Sequence, residues 1–149
     1  MEIIKITKDK KKYLDLLLLG DEQEDMVDKY LPDGEMFIAS AEGKVQGECV
    51  ITYNGNGEYE IKNVAVYPEF QRRGVGRKLL NLALEYVKHK GGKSLIVGTG
   101  EAFSTMNFYI GCGFTEYRRE KDFFTKNYNK PIYEDGVQLK DMVYFKKDI

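Results

Sequence analysis

The residues best suited to chemistry sit together at positions 64–78. They read Val64-Ala65-Val66-Tyr67-Pro68-Glu69-Phe70-Gln71-Arg72-Arg73-Gly74-Val75-Gly76-Arg77-Lys78. An apolar strand runs into a glycine loop, and the loop runs into the start of a helix. The first amides of a helix have no carbonyl partner within it. Together with the helix dipole they make an anion site that suits a diphosphate. Gly74 and Gly76 let the backbone approach the phosphates closely, and Arg72, Arg73, Arg77 and Lys78 add positive charge around the turn. Two other phosphate loops are excluded. Gly-Lys-Ser/Thr is absent, and the third glycine of the dinucleotide fingerprint is replaced by Leu79. A plain strand-to-helix turn with packing glycines is the competing explanation.

Other reactive residue types are sparse. His89 is the one histidine and lies between Lys88 and Lys90, where a helix C-terminus favours a cation. Cys49 and Cys112 have no CxxC neighbour, so neither a disulfide framework nor a zinc site is expected, and no metal is assigned. Both thiols read as inert core residues of a reduced, cytoplasmic protein. The formal net charge of -1 gives no basic surplus for nucleic acid. The longest apolar run, Leu16 to Leu19, is far too short for a bilayer, and no secretory signal is visible.

The elements that must position the loop follow from periodicity and turn residues. A chain of 149 residues suits one domain, spanning 1–149. Strands are predicted at 3–6, 35–41, 44–53, 58–66, 94–97, from 113 onward and at 138–145. Helices are predicted at 9–19, with Leu14, Leu17 and Leu18 on one face, at 21–31 with an acidic start, at 74–90 and at 102–110. Asn54-Gly55-Asn56-Gly57 is a hairpin signal. Strand-helix-strand units mixed with hairpins give an α/β (α+β) reading with a mixed sheet.

Gln71-Arg72-Arg73-Gly74-Val75-Gly76 resembles the acyl-CoA signature Q/R-x-x-G-x-G/A of the GNAT superfamily of N-acetyltransferases. Val64 to Pro68 is similar to the strand that leads into it. Asn107-Phe108-Tyr109-Ile110-Gly111-Cys112-Gly113-Phe114 resembles the second motif of that family, in the expected order and spacing. The order of elements fits over nearly the whole chain. One departure is visible: many members carry an asparagine about seven residues before the tyrosine, where this chain has Ala102, and Asn107 is the remaining candidate for that cofactor contact.

The resemblance implies a central sheet of six to seven mostly antiparallel strands flanked by about four helices. It implies that the sheet splays after the strand 58–66 to admit the pantetheine arm of acetyl-CoA. Val64, Ala65, Val66, Gln71, Arg72, Arg73, Gly74, Val75, Gly76, Arg77, Lys78 and Asn107 would hold that cosubstrate. The Val64 amide would face the thioester oxygen, Tyr109 would protonate the departing thiolate, and Glu60 would take the proton of the attacking amine. Glu60 precedes Val64 by four residues and shares a strand face with it unless a bulge intervenes. Phe123, Phe124, Tyr128 and Tyr133, with Asp122, Glu134 and Asp135, form either an aromatic and acidic pocket for a cationic amine or a satellite core with solvated charges. A small-molecule or protein amine remains open as acceptor, and a homodimer is compatible with the resemblance. The competing functions are a non-catalytic acyl-CoA sensor of the same fold and an interaction protein whose glycine loop is only a turn.

Overall fold

The computed structural model describes all residues from Met1 to Ile149. Its frame is a seven-stranded sheet in the order β1 (Glu2–Ile6), β2 (Glu35–Ala41), β3 (Lys44–Gly55), β4 (Glu58–Val66), β5 (Ser94–Gly100), β9 (Met142–Asp148) and β6 (Thr115–Glu120). Five helices accompany it: α1 (Leu14–Gly20), α2 (Glu24–Val27), α3 (Val75–His89), α4 (Phe103–Gly111) and α5 (Phe123–Asn127). A separate two-stranded hairpin, β7 (Tyr133–Glu134) and β8 (Val137–Gln138), follows α5. β4 and β5 run parallel, and every other pair is antiparallel.

The meander β2–β3–β4 follows from its turns. Glu42-Gly43 and Asn56-Gly57 both take positive φ at two successive residues, which matches the twist of a tight hairpin. α3 buries Val75, Leu79, Leu80, Ala83 and Val87 against one face of the sheet, beside Ile51, Ile61, Val97 and Phe145. Leu17, Val27 and Leu31 cover the other face over Met36, Ile38 and Val50.

Three expectations change. The helix expected at 9–19 is a 3-10 turn, Lys10–Tyr13, followed by α1. Leu16 and Leu17 are its fully buried side chains, while Leu14 and Leu18 are only half-buried. The helix expected at 21–31 contracts to α2, because residues 28–33 continue as successive turns toward Gly34. The last strand starts at Met142 and not at 138; Gln138 belongs to the β7–β8 hairpin.

A bulge at Lys62 bears on the chemistry. Val50 pairs with Asn63 and Ile51 with Ile61, so Lys62 is an extra residue in β4. The alternation slips by one across it. Ile61, Val64 and Val66 face the α3 core, while Asn63 points the other way and donates to the Leu17 carbonyl at 2.9 Å. Glu60 therefore does not share a face with Val64.

Glu48 lies on the α1 face of β3, is 0% exposed, and neither of its oxygens has a hydrogen-bond partner. Burial pushes its carboxyl well above the usual range. A carboxyl raised in the folded state stabilises fully below its unfolded value, and that stability drains away as pH rises toward the folded value. Glu48→Met is therefore expected to raise the melting temperature at pH 7.5 by about 4 °C, the scale of one unsatisfied buried polar group. The gain should be smaller at pH 4.5. Melting curves at the two pH values check this, and an equal gain at both contradicts it.

Candidate active site

The turn before α3 is an open cradle of amides. Gly74 caps α3 with φ 83°, and no side chain caps the helix. Arg72 also sits in the left-handed region, with φ 62°. No backbone carbonyl accepts from the amides of Arg72, Arg73 or Gly74. A Cβ placed on Gly74 would meet nothing within 4 Å. Gln71, Arg72, Arg73, Gly74, Arg77 and Lys78 are all exposed, and Val75 plugs into the core beneath them. The four cationic side chains make no salt bridge; Arg73 rests over the Phe70 ring at 5.8 Å. Gln71 braces the loop by donating to the Val66 carbonyl at 3.0 Å.

The loop, the end of β4 and α4 converge. A Cβ on Gly76 would lie 3.2 Å from the Phe108 ring and 3.9 Å from Val66. A side chain at Gly76 would press the Phe108 ring aside by a few tenths of an ångström, so a small residue suits this crossing of α3 and α4. The next residue of α4 is Tyr109.

β4 and β5 separate where the chemistry was expected. Their pairing covers Glu58 to Ile61 against Ser94 to Val97 and then stops, although β4 runs on to Val66 and β5 to Gly100. A cavity of about 580 Å³ occupies the region around this gap, lined among others by Glu60, Val64, Thr99, Tyr109 and Tyr128. Ala65 and Val66 continue β4 past the gap, paired on the β3 side with Glu48 and Gly47.

Tyr109 is 5% exposed, with its ring stacked on Phe145 at 6.2 Å and edge-on to Phe114. It lines the cavity, and no protein group bonds to its hydroxyl. Burial, followed by nearby Cys49 and Glu134, pushes the phenol well above its ordinary value. It stays protonated and can act as an acid throughout the physiological range.

Glu60 is 6% exposed and lines the same cavity from β4. Asn54 Nδ2 donates to its Oε1 at 3.0 Å, and Lys62 Nζ lies 3.4 Å from its Oε2. A positive and a neutral donor hold it as an oriented carboxylate. Glu60 and Val64 thus reach one cavity even though the bulge turns their side chains to opposite faces.

Asn107 is exposed on α4 and makes no protein contact that fixes its side chain, while Ala102 is buried. Cys49 is buried, Cys112 half-buried, and both are free. No group of three or more His, Cys, Asp or Glu side chains is placed to hold a metal. No helix is long and apolar enough to cross a membrane. One polar network was not visible in the sequence. Asn63 donates to the Tyr30 hydroxyl, Tyr30 donates to Asp21 at 2.9 Å, and Tyr128 donates to the other Asp21 oxygen at 2.6 Å. All four line the cavity.

The fold is thus a splayed mixed sheet with an amide cradle on one side and a buried phenol on the other. The family model described as Acetyltransferase (GNAT) family matches residues 4–114, and the chain belongs to that family. The uncharacterized N-acetyltransferase YvbK of Bacillus subtilis is 36% identical over 136 residues, covering 91% of this chain and 88% of the relative. A GNAT family acetyltransferase from Elizabethkingia anophelis, solved with acetyl-CoA bound, superposes with a TM-score of 0.94 at 33% identity, covering 99% of this chain and 97% of that one. A Bacillus subtilis acetyltransferase solved with CoA superposes at 0.92 with 34% identity, covering 99% and 98%.

Proposed function

We propose that this protein is an acetyl-CoA-dependent N-acetyltransferase that acetylates a primary amine by direct attack within a ternary complex. The observation that carries the reading is the β4–β5 gap with the Tyr109 phenol lining it, beside the Gly74–Gly76 cradle, whose Gly76 packs close to Phe108 and Val66. Relatives solved with acetyl-CoA or CoA bound share this fold at about a third identity. The free thiols Cys49 and Cys112 suit a reducing cytoplasm.

Each residue then has a task. The amides of Arg73 through Arg77, with Arg72, Arg73, Arg77 and Lys78 around them, grip the diphosphate. Val64 and Val66 present backbone groups to the pantetheine arm as a neighbouring strand would. The Val64 amide stabilises charge on the thioester oxygen; a donor of this kind is worth roughly 3–4 kcal/mol. An alkyl ammonium titrates near 10.4, so the incoming nitrogen must lose a proton, and Glu60 receives it. As the C–N bond forms and the C–S bond breaks, Tyr109 gives its proton to the sulfur; the nitrogen sheds its second proton as it becomes an amide, which restores the phenol, and Glu60 passes its own proton to water. No covalent enzyme intermediate is needed, since no nucleophile is paired with a base.

Thiol release in the presence of a panel of primary amines tests the reading. Firm acetyl-CoA binding with no release for any amine contradicts it and favours a sensor. Glu60→Gln is expected to lower kcat/KM by about 100-fold, at the low end for general acid–base groups. Full rates in that variant would move the base elsewhere.

The raised phenol sets the pH profile. Because Tyr109 holds its proton well beyond the ordinary phenol range, activity should climb with pH as more of the amine is neutral. It should show no descending limb below about pH 10, the value of an unperturbed phenol. A descending limb centred near pH 8 would remove Tyr109 from the acid role.

A further inference from the structure

We infer that the acceptor is an amine bearing a second, positively charged nitrogen, and that Glu134 is the residue that selects it. The inference rests on the acyl-transfer reading above and concerns the half of the cavity away from the diphosphate cradle.

Residues 121–141 form a strap along that half. They lie beyond the span 4–114 that matches the family model, although the superposed acetyltransferases cover 99% of this chain. The strap is fastened at both sides. Toward α1 and α2, Tyr128 donates to Asp21 and the Asn129 amide to Gln23 at 2.8 Å. Toward α4, the amide and hydroxyl of Ser104 donate to Asp135 at 3.1 and 2.7 Å, and Thr105 Oγ1 donates to Glu134 Oε1 at 2.9 Å. Glu134 is thereby held against α4 one turn before Tyr109, a residue that feels its charge.

The charges lining the cavity do not balance. Its carboxylates are Asp21, Glu22, Glu60 and Glu134; its ammonium groups are Lys29 and Lys62. Lys62 answers Glu60, and the two Asp21 oxygens each take a phenol. Glu134 is half-buried, has one oxygen bonded by a neutral hydroxyl, and forms no ion pair. A carboxylate that faces a cavity with no cation beside it attracts one. The reacting nitrogen cannot supply that charge, because it must be neutral to attack and becomes an amide afterward. A second nitrogen, which does not react, can.

Two further observations mark this space as a ligand site. The Tyr109 hydroxyl, on a residue 5% exposed, reaches the cavity with no protein partner. Phe124 and Tyr128 also line it, stacked at 5.5 Å, and their faces are the kind that attract an organic cation.

The experiment compares 1,5-diaminopentane with 5-amino-1-pentanol, which has the same length and an uncharged tail. Thiol release gives kcat/KM, and calorimetric titration of the CoA complex gives affinity. The wild type should prefer the diamine about 30-fold, the worth of one charge-assisted hydrogen bond. Glu134→Gln, which can still accept from Thr105, should lose at least ~10-fold of that preference through KM while still binding CoA. Equal use of both amines by the wild type overturns the inference. So does a Glu134→Gln variant that loses both amines alike, since a residue that only fastens the hairpin would behave that way. CoA binding with no preference between the amines sinks this inference alone; absence of CoA binding sinks the acyl-transfer reading with it.

Discussion

Tyr109→Phe is expected to lower kcat on the order of 100-fold while changing CoA affinity less than about twofold, the split left by removing a general acid and little else. The ring is packed on Phe145 and Phe114, and those contacts need only the aromatic face. The hydroxyl forms no protein hydrogen bond, so phenylalanine leaves no group stranded. Folding should therefore survive, and the lost rate should report the lost proton. Steady-state thiol release beside calorimetric CoA titration reads the two quantities separately. The departing thiol titrates near 8.5, like a free cysteine, so the residual rate should recover toward wild type as pH rises above that value. A uniform deficit at all pH values would point to packing instead.

Gly74→Val is expected to weaken CoA binding on the order of 100-fold with a smaller effect on turnover at saturation, since it touches the cradle and not the gap. Space is not the obstacle, because nothing lies within 4 Å of the added Cβ. The backbone is: φ at Gly74 is 83°, and a β-branched residue there is a genuine outlier. Relief of that strain rotates the amides that should converge on the diphosphate. Gly74→Ala should fall between the two. Calorimetric titration of the three proteins with CoA gives the series. Unchanged affinity in Gly74→Val would mean that the amides do not hold the diphosphate.

Much of the frame could be read from local patterns. β4 has the bounds its apolar residues and flanking Asn-Gly and Pro predict, and α3 differs from its expected span by one residue at each end. Both carry strong local signals: tight-turn residues for one, a 3.6-residue stripe for the other. The glycine loop was legible because an αL cap strongly favours a residue without a Cβ and a tight helix crossing favours a small one. Weaker signals misled. The Leu-rich run 14–19 has no clean stripe, and Leu16, as fully buried as Leu17, lies off the face its periodicity predicts.

What the sequence could not show arises from pairing across long separations. The Lys62 bulge depends on how β3 and β4 align, and it moved Glu60 off the Val64 face. The Asp21–Tyr128 bond joins residues 107 apart. Glu134 reaches Thr105 only because the strap folds back on α4. Local periodicity encodes none of these, yet they shape the acceptor side of the cavity. The cradle is coded in one continuous stretch, and the acceptor side is assembled from four.

A crystal structure with acetyl-CoA tests the central claim most directly. The account predicts diphosphate oxygens about 3 Å from the amides of Arg73 through Arg77, the pantetheine arm beside Val64 and Val66, and the sulfur within hydrogen-bond reach of the Tyr109 hydroxyl. A diphosphate bound away from that turn, or a sulfur far from the phenol with the β4–β5 gap unfilled, would contradict it.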